Sequence, residues 1–416
     1  MSEALEEVFR QSSSMLVASL TRAVGPGYLD LVESVVQEAF LRAMEEWKGG
    51  APSNPTGWLL AVARNLALDH LRRERTFRAK EDGVSHFIET TATLVVDAPG
   101  AGLKGELADE QLTMIFVACH PCNSVPSQIA LALRTLCGLE IPAIARALFS
   151  SEDAIEKRLV LARRRIREEK VSFELPSPSE LGERLDAVLR VLYLVFNEAY
   201  WGTTGPHIVQ EDVAAEAIRL VAFLAEHPTT RRPRVLALLA LMQFHASRFP
   251  ARVDARGDLV TLADQDRSLW DHERIAHGMR CLAASAEGDD ASPYHYEAAI
   301  AAVHAMSASP AATDWSRIVA FYEQLLALYP SPVARLSRAI AMGFRDGPAE
   351  CLAELARIEG DGVLRGLAPF HAARGDAHAR LGDRASARAA FERARACSIN
   401  AHEQRYLEGR LARLSA

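Results

Sequence analysis

The chain has 416 residues, a net charge of −7, 49% hydrophobic and 7% aromatic content, enough for two or three domains with cores of their own. That charge balance does not favour a polyanionic partner, so any nucleic-acid signal must be local. The most apolar stretch, Val235–Met242, is too short to span a bilayer.

Alanine and leucine dominate and no run alternates with period two, which predicts an all-α protein. Six scattered cysteines and no signal-peptide pattern predict reduced thiols and a cytoplasmic location.

Leu5–Ala23 and Asp30–Trp47 read as helices on either side of a Gly25-Pro26-Gly27 turn. In the second, Val32, Val35, Val36, Ala39, Phe40, Ala43, Met44 and Trp47 form a continuous apolar stripe. Glu33, Gln37, Glu38 and Arg42 occupy its other face. Alone, this is a surface helix of a small bundle. A Gly/Pro/Asn loop over residues 49–56 leads to a helix from Trp58 to about Arg75. Leu59, Val62, Leu66 and Leu71 point inward; Arg64, Asn65, Asp69, Arg72 and Arg73 point outward, with Asp69 and Arg73 at i,i+4 spacing. Arg64, Arg72, Arg73, Arg75, Arg78 and Lys80 make a patch able to hold phosphates, beside a Trp58 ring able to stack on a base. From about Thr76 to Ala108 the periodicity disappears, as in a linker.

Cys119-His120-Pro121-Cys122 has the spacing of a zinc or redox pair. A structural zinc site wants four ligands and no second pair follows, while a thioredoxin-type motif wants a βαβ setting. The motif reads as a packed helix end.

In Gln128–Arg167 a helix meets a Cys-Gly-Leu break, then Ile141–Leu148, a Phe-Ser-Ser turn and Glu152–Arg167. Ile155, Leu159, Ala162 and Ile166 recur at helical spacing. Ser151 is placed as an N-cap, with Glu152 and Asp153 in the first turn where the helix dipole favours acids. Lys157, Arg163, Arg164 and Arg167 lie on the other face. This describes a helix-turn-helix whose second helix could enter a major groove. An amphipathic helix with a solvated basic end fits the same residues.

After Pro176-Ser177-Pro178-Ser179, helices are predicted at Leu181–Tyr200, Gln210–Glu226, Arg232–Arg248, Asp264–Ala284 and Tyr294–Ala308. Near the end, Gly375, His378, Gly382, Ala387, Phe391 and Ala394 fall at the small and large interhelical positions of a tetratricopeptide (TPR) unit. Ile318, Tyr322, Leu325 and Pro330 fit the second helix of a more worn preceding unit; a plain helical hairpin is the alternative. No Gly-rich phosphate loop, nucleophile elbow or His-x-x-x-His pattern points to catalysis, a metal or a cofactor.

Two stretches carry a family resemblance. Val35-Val36-Gln37-Glu38-Ala39-Phe40-Leu41-Arg42-Ala43, with Asn54-Pro55-Thr56-Gly57-Trp58-Leu59-Leu60-Ala61-Val62-Ala63-Arg64-Asn65 and Asp69-His70-Leu71-Arg72-Arg73, resembles the polymerase-binding domain of the sigma-70 family. It is most similar to the compact extracytoplasmic-function (ECF) members. Ser151-Glu152-Asp153-Ala154-Ile155-Glu156-Lys157-Arg158-Leu159, followed by Ala162-Arg163, resembles the family's second DNA-binding domain. Ser34 and Ala143 stand where the family usually has acids, and Glu156 where it is often basic. Arg184–Leu189, residues 194–200 and residues 264–271 resemble the extension of one ECF subgroup.

The resemblance implies a sigma-type domain over 1–75, a linker over 76–108, a helix-turn-helix domain over 109–172 and a helical, TPR-like extension over 180–416. Glu33, Gln37, Glu38 and Leu41 would dock on core RNA polymerase. Asn54, Trp58, Arg64, Asn65, Asp69, Arg72 and Arg73 would hold the melted upstream promoter element. Ser151, Glu152, Asp153, Glu156, Lys157, Arg158, Arg163 and Arg164 would meet the more distant element in the major groove. The partners would be core polymerase, promoter DNA and a protein bound by the extension, with no membrane. The alternative is a stand-alone helix-turn-helix regulator that senses a partner through its repeats.

Overall fold

The computed structural model describes residues 3–77, 101–148, 150–201, 210–254, 258–288, 290–398 and 401–415. Among them are eighteen α-helices and no strand, only an isolated bridge between Val253 and Leu259. The chain divides into two compact units, Met1–Val195 and Phe196–Ala416.

The first unit opens with α1 (Glu3–Val24), α2 (Leu29–Glu46) and α3 (Pro55–Phe77). Leu16, Val17 and Leu20 of α1 meet the stripe Val32, Val35, Val36, Ala39, Phe40 and Ala43 of α2 and Leu59, Ala63 and Leu66 of α3. The expected stripe is buried apart from its end, where Met44 is 43% exposed and Trp47 only partly covered. Next comes α4 (Ala101–Ala118), which begins inside the stretch read as linker. Residues 78–100, with Arg78 and Lys80, lie outside the described residues. α4 is fastened to α1 by Arg22–Glu110 (2.9 Å) and by Gln111 donating to Ser14 (3.0 Å).

The Cys-x-x-Cys stretch closes α4 as a packed helix end. The Cys122 amide donates to His120 Nδ1 (3.2 Å), and Gln128 Nε2 donates to the carbonyls of His120 and Asn123. Burial pushes the Cys119 thiol up to about 12, so it stays protonated.

α5 (Val125–Thr135), α6 (Ile141–Ala147) and α7 (Glu152–Glu168) pack on one another. The Cys-Gly-Leu break is a left-handed glycine cap: Gly138 has φ +65°, and the Leu139 amide donates to the Leu133 carbonyl at 3.1 Å. Ser151 caps α7 by accepting from the Ala154 amide (3.2 Å), and Ile155, Leu159, Ala162 and Ile166 are its buried residues. The division between the units falls inside α8 (Leu181–Trp201).

The second unit continues with α9 (Glu211–Glu226), α10 (Pro233–Ala246), α11 (His272–Ser285), α12 (Pro293–Met306), α13 (Trp315–Leu328), α14 (Pro332–Arg345), α15 (Pro348–Ile358), α16 (Ala368–Arg380), α17 (Arg384–Cys397) and α18 (Ala401–Ser415). From α12 onward each helix packs on the next.

Two expectations are corrected here. The helix expected from Asp264 starts only at His272. Asp266 caps a short 3-10 turn over Arg267–Leu269, and Asp271 caps α11 by accepting from the Arg274 amide (3.0 Å). The pair α14–α15 was not expected, and it separates α13 from the terminal pair α16–α17. In that terminal pair a Cβ on Gly375 would sit 2.8 Å from the Phe391 ring, so the glycine sets how closely the helices approach. Gly343 does the same for α14, against Cys351 of α15 at 2.5 Å. Arg405 of α18 reaches Asp258, in the segment after α10, at 2.6 Å.

Candidate nucleic-acid interface

α3 begins where Asn54 Oδ1 accepts the Gly57 amide (2.9 Å), an N-cap that uses the side chain expected at the promoter. Trp58 is half-buried on the bundle core, packed edge-to-face on Trp47 with centroids 5.3 Å apart. The ring expected to stack on a base thus also has a packing partner inside the domain. Arg64 is half-buried too, and burial lowers its pKa. The rest of the expected face is open: Asn65, Asp69, Arg72 and Arg73 are all exposed. Asp69 pairs with Arg72 at i,i+3 (3.9 Å), in place of the expected Arg73.

On α7, Ser151, Glu152, Asp153, Glu156 and Lys157 are exposed and Arg158 is half-buried. Arg164 is exposed and held by Glu168 at 2.6 Å, one turn on. Arg163 points the other way. Its Nε lies 3.0 Å from Asp30 Oδ1 and its Nη2 pairs with the Glu33 carboxylate, both on α2. Arg167 follows, donating to the Gly27 carbonyl at 2.9 Å. From α5, Arg134 approaches Glu33 at 3.4 Å and Glu140 at 3.0 Å. Gln37 of α2 donates to Glu140 at 2.9 Å.

This arrangement corrects the expected open acidic face of α2. Glu33 is only 7% exposed; burial raises its pKa, while Arg163 and Arg134 oppose that rise. The residue expected to touch polymerase and the residue expected to touch DNA hold each other. Glu38 is half-exposed and paired with Arg42 (2.7 Å), and Leu41 is 60% exposed. Asp30 and Arg134 complete the cluster. Sequence reasoning did not single them out, because each looks like an ordinary surface charge on its own helix.

Residues 9–77 match Sigma-70 region 2, and residues 184–286 match a family of unknown function, DUF6596. The uncharacterized protein R00370 of Rhizobium meliloti (strain 1021) is 39% identical over 393 residues, covering 93% of this chain and 91% of its own length. The chain belongs to the same family as that protein, and its front is a sigma-70 region 2 domain. That domain supports a sigma-70 family factor, a non-enzymatic class of protein, with a sigma-like role in transcription initiation. It implies core RNA polymerase and promoter DNA as partners. No solved structure matches the chain. No helix among the described residues is long and apolar enough to cross a membrane.

Proposed function

We propose that the protein is an ECF-type sigma factor whose own helical, TPR-like extension regulates it. The observation that carries the reading is the region 2 match over residues 9–77. The third helix of that stretch leaves Asn65, Asp69, Arg72 and Arg73 open to a nucleic acid. In this reading α2 docks on core polymerase through Gln37, Glu38 and Leu41. The loop before α3, with α3 itself, captures the melted upstream element, and α7 reads the distant element with residues near Ser151–Lys157. α6 and α7 serve as the helix-turn-helix.

Arg163 and Glu33 can meet DNA and polymerase together only after their mutual pair parts. The form with α2 on α7 is therefore a resting form, and polymerase capture opens it. The extension places more than half the chain beyond the promoter-binding part and presents stacked helix pairs, a common protein-binding architecture.

The test is transcription in vitro by core polymerase on a promoter library, with and without the full-length chain. Specific initiation that requires the chain supports the reading. Tight duplex binding without polymerase, and no effect on initiation, would mark a stand-alone regulator instead.

A further inference from the structure

The second unit contains a group of cations that promoter binding does not use. The chain leaves α10 through Arg248, a 3-10 turn over Phe249–Ala251, and Arg252; Arg267 and Trp270 come from the turn before α11. The Asp271 amide donates to the Ser247 carbonyl (2.8 Å), which ties these two segments together. Arg267 also donates to the carbonyls of His304 (2.9 Å) and Ser307 at the end of α12.

Rings line the cluster. The Arg267 guanidinium carbon is 4.9 Å from the Trp270 centroid and that of Arg248 is 5.9 Å from the same ring. Arg252 lies 3.7 Å over Tyr200, whose ring is 5.0 Å from His245. Arg252 is 2% exposed and Trp270 is 4% exposed.

The surroundings repel. The charges felt by His245 are those of Arg248, Arg252 and His304; those felt by His304 are Arg248 and Arg267. Arg248 also bears on Arg252 and on Arg267. Two acids beside the cluster have other partners: Asp266 is exposed and accepts from Ser268, and Asp271 caps α11. Residues 202–209 and 255–257, which lie outside the described set, contain no Asp or Glu in the sequence. Among the described residues, the enclosed Nε of Arg248, Nε of Arg267, Nε1 of Trp270 and Nδ1 of His245 and His304 have no hydrogen-bond partner.

Enclosed donor atoms left unpaired, beside like charges gathered together, are unfavourable in an apolar setting. An oxyanion relieves both problems at once. Guanidinium forks fit phosphate and carboxylate oxygens, and the indole N–H adds a neutral donor. A phosphate group carries nearly two negative charges at neutral pH, and so answers several guanidinium groups where one carboxylate would answer one.

We infer that Arg248, Arg267 and Trp270, with Arg252, His245 and His304 around them, form a binding site for a phosphate-bearing small molecule. All but His304 fall within residues 184–286, the stretch shared with the family of unknown function.

The test uses the full-length protein, with inorganic phosphate and pyrophosphate as probes. Sodium chloride at equal ionic strength is the control and malonate is the carboxylate arm. Expected are a melting temperature raised by about 3 °C or more at saturating phosphate or pyrophosphate, and binding by isothermal titration. Arg248→Met should weaken binding at least about tenfold. It should leave the unliganded melting temperature unchanged or higher, because a repelling cation has gone. Trp270→Phe, which keeps a ring and loses the N–H, should weaken binding about threefold or more. A phosphate effect no larger than that of chloride would overturn the proposal. So would an effect that malonate exceeds, binding that survives Arg248→Met, or an Arg248→Met protein that melts lower without ligand.

Discussion

Both units bury arginines, and they resolve the cost differently. In the first, Arg163 and Arg134 converge on one carboxylate, Glu33, so the chain supplies its own counter-charge and α7 is held to α2 as a by-product. In the second, Arg248 and Arg267 face Trp270, and the charges near them repel. A guanidinium paired within the fold is a fastening. At the rear, the enclosed Nε atoms of Arg248 and Arg267 remain unused hydrogen-bond donors beside the rings, which leaves room for something from outside. The same residue type therefore gives a closed contact at the front and a receptive site at the back.

The sharpest way to break this comparison is Glu33→Ala. It leaves two largely buried guanidinium groups without their shared acid, and should cost about 3 kcal/mol in urea unfolding. A loss under about 1 kcal/mol would mean that the front arginines need the acid no more than the rear ones do.

pH separates the units next. Burial, then neighbouring cations, hold His245 down to about 3 and His304 to about 4. Both histidines are neutral in the folded protein near pH 6, whereas the unfolded chain takes up protons there. Their contribution to stability is thus complete above about pH 6.5 and is lost as pH falls toward those lower values. Between pH 6.5 and 5.5 the pair should cost about 1–2 kcal/mol. Comparing the slope of stability against pH in the wild type and in His245→Gln measures it, and equal slopes would remove His245 from the account.

A smaller effect comes from Ser151→Ala. Losing the N-cap of α7 should cost about 1 kcal/mol, with reduced helicity, and should weaken promoter binding more than it weakens capture of core polymerase. Smallest on stability is Gln37→Ala with Glu38→Ala, which should change unfolding by less than about 0.5 kcal/mol while weakening co-purification with core enzyme. Undiminished co-purification would take this face of α2 out of the docking surface.

The helical cores were readable because a 3.6-residue period needs no partner to be seen. The α2 stripe and Ile155, Leu159, Ala162 and Ile166 of α7 are buried as the spacing predicts. Local chemistry was readable as well: Ser151 caps α7, and the break at Gly138 is a helix end. The fate of Glu33 was not readable, because its partners lie about a hundred residues or more along the chain and a helix face says nothing of what covers it. The packing of Trp58 on Trp47 was not readable for a similar reason, since a ring able to stack on a base is equally able to pack on another ring. A helix was expected from Asp264, yet Asp266 and Asp271 each start a separate element. For α14 the Ser331-Pro332 start was in plain view, but a contact as small as Gly343 on Cys351 leaves little trace in a sequence. The rear arginines were invisible as a group because turns, whose paths no periodicity describes, bring them together.

The Arg405–Asp258 contact gives the second unit a property that its helix pairs lack. A run of helices, each resting on the next, resembles a coiled spring: it can lengthen or shorten by small adjustments at every joint. Joining α18 to the segment after α10 adds a strut across several of those joints and limits the travel. Both side chains are close to half exposed, so the strut is weak alone and softens as salt screens it. Ionic strength then becomes a control on stiffness with no change of fold, and the amide protons of α18 should exchange faster in high salt while those of α10 keep their rate.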